Sequence, residues 1–315
     1  MQINAAILEQ FFQRLDFSFQ NVIRTVPTLY GMIATETQSL TQQNVYPFLS
    51  MIPTLREWVG PRQIKNVSAR GFTVPNKHWE LTEGLDVDKF NDDSYGFYNQ
   101  LMPMIAQQVA EWKDREVTRV IEANTACWDG QNFFDTAHPV DPDKTSAGTQ
   151  ANKLVGATYD ITGAGGAIAA YAAAKAKMAL WKREDGQQLG VVPDTIMVHP
   201  NEEQFALQVA NAGIVPQAVG SAAAGVTNVF AGAGGLRVIV NPFLTATSGH
   251  PWYLLCTKRG INPFMWQNRQ DAQLVSRTAL TDDNVFRLRR FEWGVDLRGA
   301  ATYTFPFLAF RMSAS

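Results

Sequence analysis

The chain has 315 residues, 46% hydrophobic and 18% charged, a length for roughly two domains or one elaborate one. The charged fraction is below the roughly 25% of an ordinary soluble domain, as expected of a surface that other subunits cover. The formal net charge of −2 excludes a global electrostatic grip on nucleic acid, two cysteines exclude a disulfide framework, and 11% aromatic residues argue against a disordered chain.

The N-terminus reads as an amphipathic helix, with Ile3, Ile7, Phe11 and Leu15 every four residues and Leu8, Phe12 and Phe19 widening the stripe. It has neither a basic start nor a continuous apolar stretch, so it is not expected to be a signal peptide. No run of about 18 apolar residues predicts a membrane span. Residues 35–44 (TETQSLTQQN) are polar and suit an extended arm. From Arg56 to Val87 apolar residues are sparse and partly alternate between glycine and proline breakers, which predicts a long hairpin with little core of its own.

The strongest helix spans Tyr98 to Asn124, with Met102, Ile105, Val109, Trp112, Val120 and Ile121 on one face. Asp92, Asp93 and Ser94 are its candidate caps. A loop-rich stretch, 128–154, follows. Thr162 is expected to cap an Ala-rich helix running to about Trp181. A buried strand within 191–199 leads into a helix opened by Pro200. Residues 218–235, rich in Ala and Gly, read as a loop. The last third is mostly strands: 236–240, 252–256, and Phe264 onward. Phe291, Trp293, Val295 and Leu297 alternate with polar residues, and Tyr303, Phe305 and Phe307 continue the period. Strands gathered late predict an α+β class.

Motifs for chemistry are scarce. No His pair stands at i, i+4 and no Cys lies at metal-ligand spacing from a His, so no metal, cofactor-binding or catalytic residue is expected. Asp135, His138, Asp141 and Asp143 are the one local cluster of possible metal ligands, read as a rigid loop whose aspartates cap turns. The glycines at 163, 165 and 166 lack the leading strand of a dinucleotide fingerprint. Arg287, Arg289 and Arg290 read as a solvated or subunit-facing strand edge. An arm, a projecting hairpin, a long helix and a charge-poor surface are the parts of something that assembles.

Three stretches resemble the major head proteins of Mu-like tailed phages, of the Hong Kong 97-type capsid fold. They are Leu55-Arg-Glu-Trp-Val-Gly-Pro-Arg with Lys77-His-Trp-Glu-Leu-Thr; Asp92-Asp-Ser-Tyr-Gly-Phe-Tyr with Trp128-Asp-Gly-Gln-Asn-Phe-Phe-Asp-Thr-Ala-His-Pro; and Pro193-Asp-Thr-Ile-Met-Val-His-Pro. The resemblance implies an N-terminal arm (1–54), an extended hairpin loop (55–88) and a peripheral domain with its spine helix (89–189). It further implies an axial domain (190–282) and C-terminal strands returning to the peripheral domain (283–315). It implies a structural shell protein, not an enzyme, that self-assembles as pentamers and hexamers into an icosahedral head around double-stranded DNA. Further implied partners are a separate scaffolding protein and a portal, with a decoration protein left open, assembly in the host cytoplasm and no membrane. Arg62, Lys65 and Arg70 of the hairpin are expected to meet Glu111 or Asp114 on a neighbour's spine, with Trp79 also at the contact. The alternatives are a cargo-enclosing nanocompartment shell of the same fold and a hydrolase using Asp135 and His138.

Overall fold

The computed structural model describes residues 5–49, 69–92, 98–162, 166–219, 222–231, 235–279 and 281–314. In chain order its helices are α1 (Ala5–Thr25), α2 (Tyr30–Ile33), α3 (Val87–Asn91), α4 (Tyr98–Ala123), α5 (Gly166–Ala179), α6 (Glu203–Asn211) and α7 (Asp283–Leu288). The strands are β1 (Ala34–Gln38), β2 (Gln43–Leu49), β3 (Ala69–Pro75), β4 (Lys77–Asp86), β5 (His138–Pro139), β6 (Thr149–Gln150), β7 (Lys153–Val155), β8 (Thr195–Val198), β9 (Ile214–Val219), β10 (Ala222–Thr227), β11 (Arg237–Val240), β12 (Trp252–Leu255), β13 (Phe264–Arg277), β14 (Arg290–Tyr303) and β15 (Ala309–Ser313).

Two sheets carry the fold. The first is four-stranded, in the order β1-β13-β14-β4, with β1 parallel to β13 and the other pairs antiparallel. Phe291, Trp293, Val295 and Leu297 of β14 all point to one buried face, as their alternation requires. There they meet Ile105, Ala106 and Val109 of α4 and Phe19 of α1. Gly299 lets β14 pass close to β13: a Cβ there would stand 2.6 Å from the Gln267 carbonyl oxygen and 2.7 Å from the Trp266 ring. Of the N-terminal stripe, only Phe19 falls among the described side chains; it is fully buried.

The second sheet is five-stranded, β11-β8-β12-β15-β7. Its strands TIMV and WYLL are apolar at nearly every position and wholly buried, the pattern of a sheet covered on both faces. Ile196, Val198, Trp252, Leu254, Phe310 and Met312 face α5 and α6. Met197, Ile239, Tyr253, Leu255 and Ala309 face the far end of α4 through Val117 and Ile121. The long helix therefore runs under both sheets and joins two cores, each buried side chain contributing on the order of 1.5–3 kcal/mol.

This topology redraws the expected division of the chain. β13 lies within the stretch assigned to the axial domain, yet its pairing with β1 and β14 puts it in the sheet that rides on α4. α5 and β7, assigned to the peripheral domain, pack instead with the five-stranded sheet. β15, expected with β14 in the peripheral domain, pairs with β12 and β7, its Ala309 facing α4. Residues 34–38 are not a free arm but an edge strand.

Smaller expectations also change. The described base of the projecting hairpin is β3 paired with β2, so it starts at Gln43 and not at Leu55. Residues 55–68, including Arg62 and Lys65, lie outside the described residues, as do the capping candidates Asp93 and Ser94. Thr162 does not cap α5, which begins at Gly166; its hydroxyl donates to the Asp160 carboxylate at 2.8 Å. The Ala/Gly stretch contains the strand β10, antiparallel to β9. β14 ends at Tyr303, and Phe305 and Phe307 stack on each other across a short 3-10 turn. The arginine run is no strand edge: Arg287 sits on α7, and Arg289 adopts a left-handed conformation that ends it.

Candidate assembly surfaces

The spine α4 is where the N-terminal and sheet elements are tied together. The carboxylate of Asp114 accepts the backbone N–H groups of Leu29 and Tyr30 at 3.0 and 2.7 Å, which caps the entry to α2. Asp114 is 4% exposed, and burial raises its pKa against the pull of those two hydrogen bonds. On the preceding residue, the Lys113 ammonium lies 3.2 Å from Glu36 on β1 and 3.3 Å from the Tyr30 hydroxyl, over the Tyr30 and Trp266 rings. Burial works against its charge, but Tyr30 and Glu36 overcome it and its pKa is raised. Glu116 pairs with Arg119 at 2.5 Å, and its pKa is raised by burial.

The far end of the spine is held by Tyr303, whose hydroxyl donates to the Val120 carbonyl at 2.5 Å and accepts the Thr125 N–H at 2.9 Å. Beyond it, residues 124–139 form a tight loop. Asp129 is its hub. One carboxylate oxygen takes the Cys127 thiol at 2.9 Å and the Gln131 N–H at 3.1 Å; the other meets His138 Nδ1 at 2.6 Å. His138 Nε2 faces the Phe133 carbonyl and Asn152 Oδ1, both at 3.2 Å. Burial alone would raise the Asp129 pKa, yet the bonds from His138 and Cys127 lower it.

This cluster is a structural lock. His138 is 1% exposed with both ring nitrogens engaged. The Asp135 carboxylate is used on the Ala137 N–H and that of Asp141 on the Asp143 N–H, so both cap turns as expected. Burial, then Asp129, pushes the Cys127 thiol well above its usual range, which leaves it a poor nucleophile. The ligating atoms of Cys127, Asp129 and His138 lie within 4.8 Å of one another. Their contacts of 2.6 and 2.9 Å are hydrogen-bond distances; ligands from separate side chains on one tetrahedral ion, with bonds of about 2.0–2.3 Å, stand about 3.3 Å apart or more. The arrangement keeps the Cys127 thiol buried and protonated against Asp129, and the hydrolase reading has no support.

The residues expected at subunit contacts fall into three groups. Arg62 and Lys65 are not described, and Arg70 is described as backbone within β3. Asp114 is withdrawn from the set: its carboxylate is consumed inside the chain by Leu29 and Tyr30. Trp79 is half-buried on its own spine, edge-on to Trp112 with ring centroids 4.1 Å apart, its Nε1 donating to the Gly299 carbonyl. Glu111 keeps a partly exposed carboxylate, bonded to Gln107 and Arg115 of its own helix.

The sequence reading missed the end of the β13–β14 ribbon. There α7 exposes Phe286 by 82% and Leu288 by 63%, and β13 exposes Val275 by 51%. The signal was the string Phe-Arg-Leu-Arg-Arg itself, where the apolar residues between the arginines were overlooked. A second surface is the narrow cleft between Trp128, Trp181, Pro142, Glu184, Phe305 and Phe307. Among the described residues no helix is long and apolar enough to cross a membrane.

Comparison with known proteins adds the family context. The profile of the family described as Mu-like prophage major head subunit gpT matches residues 8–162, 167–244 and 228–315. The chain is 27% identical over 289 residues to the major capsid protein of Escherichia phage Mu, covering 91% of this chain and 67% of that protein. It is 32% identical over 161 residues to the Mu-like prophage FluMu major head subunit of Haemophilus influenzae, half of this chain and 51% of that one. Among solved structures, a chain of the bacteriophage JBD30 procapsid superposes with a TM-score of 0.58 at 25% identity, over 99% of this chain and 77% of that one.

Proposed function

The chain belongs to the family of Mu-like prophage major head subunits, and from that premise we propose how it builds a shell. It is a major capsid protein of a phage head, with the α+β Hong Kong 97-type fold of phage capsids. Family and fold give it a structural role in the virion head, and its homologues assemble into multimeric shells.

The finer reading is ours. Copies of this chain form pentamers and hexamers that close an icosahedral shell in the host cytoplasm. The shell encloses double-stranded DNA without sequence-specific contacts, and the chain performs no catalysis. A separate scaffolding protein and a portal complete the particle. The β2–β3 ribbon supports this reading best: it is a two-stranded sheet that joins neither of the large sheets and is tied to its own chain at the base, where Gln267 of β13 bonds the Tyr46 hydroxyl and the Val74 carbonyl; such a ribbon gains further stability by leaning on something else. In a closed assembly of identical chains, that support comes from a heterologous contact with a neighbour. Arg62, Lys65 and Arg70 then meet the partly exposed Glu111 of the adjacent spine.

Sedimentation velocity on protein from its native source, followed by negative-stain imaging of the fastest fraction, tests the reading. Closed megadalton shells with five- and sixfold clusters are expected. A discrete monomer or dimer from that source overturns it.

A further inference from the structure

The two surfaces missed by sequence reading complement each other. α7 is a rigid knob. The Asn284 side chain donates to the carbonyls of Arg277 and Arg290 and so pins the ends of both strands. Val285 turns inward to the core while Phe286 and Leu288 turn out. Exposed apolar side chains clustered on a folded surface mark an interaction site, and a pinned knob has little conformational entropy left to lose on docking. The knob is also basic. Arg287 is paired with Asp283 at 2.7 Å and Arg289 with Asp88. Arg277 and Arg290 are exposed and form no ion pair among the described residues.

The cleft has the opposite character. Its walls are aromatic and prolyl, from Trp128, Trp181, Phe305, Phe307 and Pro142. Glu184 lies at its rim with Oε1 buried and without a hydrogen-bond donor among the described residues, although Lys182 and Arg183 line the same cleft. Asp141, Asp143 and Asp185 add negative charge around it, relieved in part by Lys144. A buried carboxylate oxygen with no donor is costly to leave unmet, and a guanidinium arriving with an aromatic side chain satisfies both parts of the site.

We propose that the α7 knob of one copy docks into this cleft on a second copy, Phe286 seated among the aromatic walls and Arg277 or Arg290 directed to Glu184. The two patches are different surfaces of one chain, so the contact is head-to-tail, the kind that propagates into rings and closed shells. This inference rests on the head-shell reading above.

The test uses particles assembled from the full chain with photoreactive p-benzoyl-phenylalanine in place of Phe286. After irradiation and digestion, mass spectrometry is expected to find links between copies to residues 128–142, 181–189 or 305–307. Links confined to other segments, or none between copies in intact particles, overturn the contact. A second variant, Phe286→Asp, is expected to melt like the unaltered chain because the side chain is exposed, while particle yield falls by about tenfold or more; unchanged yield overturns the proposal. If the unaltered chain forms no particles, the head-shell reading fails and the contact with it. If particles form and the links fall elsewhere, only the contact fails.

Discussion

Asp114 and Tyr30, 84 residues apart in the chain, meet at 2.7 Å, the carboxylate accepting the backbone N–H that opens α2. Together with the parallel bond to Leu29, this fixes where the N-terminal segment leaves the spine and where β1 enters the four-stranded sheet. A residue chosen from sequence as a contact to a neighbour is in fact part of the chain's own wiring.

Replacing Asp114 with alanine leaves two part-buried N–H groups without their acceptor, so Asp114→Ala is expected to cost about 2 kcal/mol. Asp114→Asn keeps one acceptor and is expected to cost less. Equilibrium urea unfolding measures both. The pKa of Asp114 is raised in the folded chain, so the fold binds its proton more tightly than the unfolded chain does. The gain from that proton is complete below the ordinary value of 3.8 and is lost as pH rises through the raised value. The unaltered chain should therefore gain on Asp114→Asn as pH falls through that window.

The Asp129–His138 pair behaves oppositely. Removing one member of a buried pair strands the other, which typically costs about 3–5 kcal/mol. Asp129→Asn is thus expected to lower the melting temperature far more than a surface Asp→Asn control, by differential scanning calorimetry. The folded-state pKa of Asp129 is lowered. Its contribution is present above the ordinary carboxylate value and is lost as pH falls through the lowered one. The penalty of Asp129→Asn should hold from neutral pH down to about pH 4 and shrink only below that.

Glu184 supplies a third test. Burial first, then Asp141, Asp143 and Asp185, raise its pKa to about 7. A carboxyl whose pKa is raised by folding stabilises when protonated, and that contribution fades as pH rises from the ordinary value through 7. Glu184→Gln mimics the protonated form. In the unassembled chain it is expected to melt above the unaltered chain at pH 8 and level with it near pH 5. A constant offset across that range would show that Glu184 does not titrate there.

Hydrophobic periodicity was enough to place α4, because an amphipathic stripe spanning seven turns is written in residues three and four apart. It was enough for β14, whose alternating Phe291, Trp293, Val295 and Leu297 need one covered face. The turn-capping roles of Asp135 and Asp141 were legible for the same reason, since each carboxylate acts on an N–H two residues on. The three resembling stretches carried the family.

What only the tertiary structure decided lies in partners far apart along the chain. TIMV and WYLL are apolar on both faces, so their pattern marks them as buried without saying in which sheet; pairing with Arg237–Val240 and Ala309–Ser313 decided that. The polar stretch Ala34–Gln38 reads as an arm until its five residues pair with Phe264–Asn268. The role of Asp114 was settled by backbone groups more than eighty residues away, and the exposure of Phe286 by Val285, its neighbour, turning into the core in its place. Local pattern sets the period of an element; which face is covered, and by what, depends on the contacts that bring distant segments together.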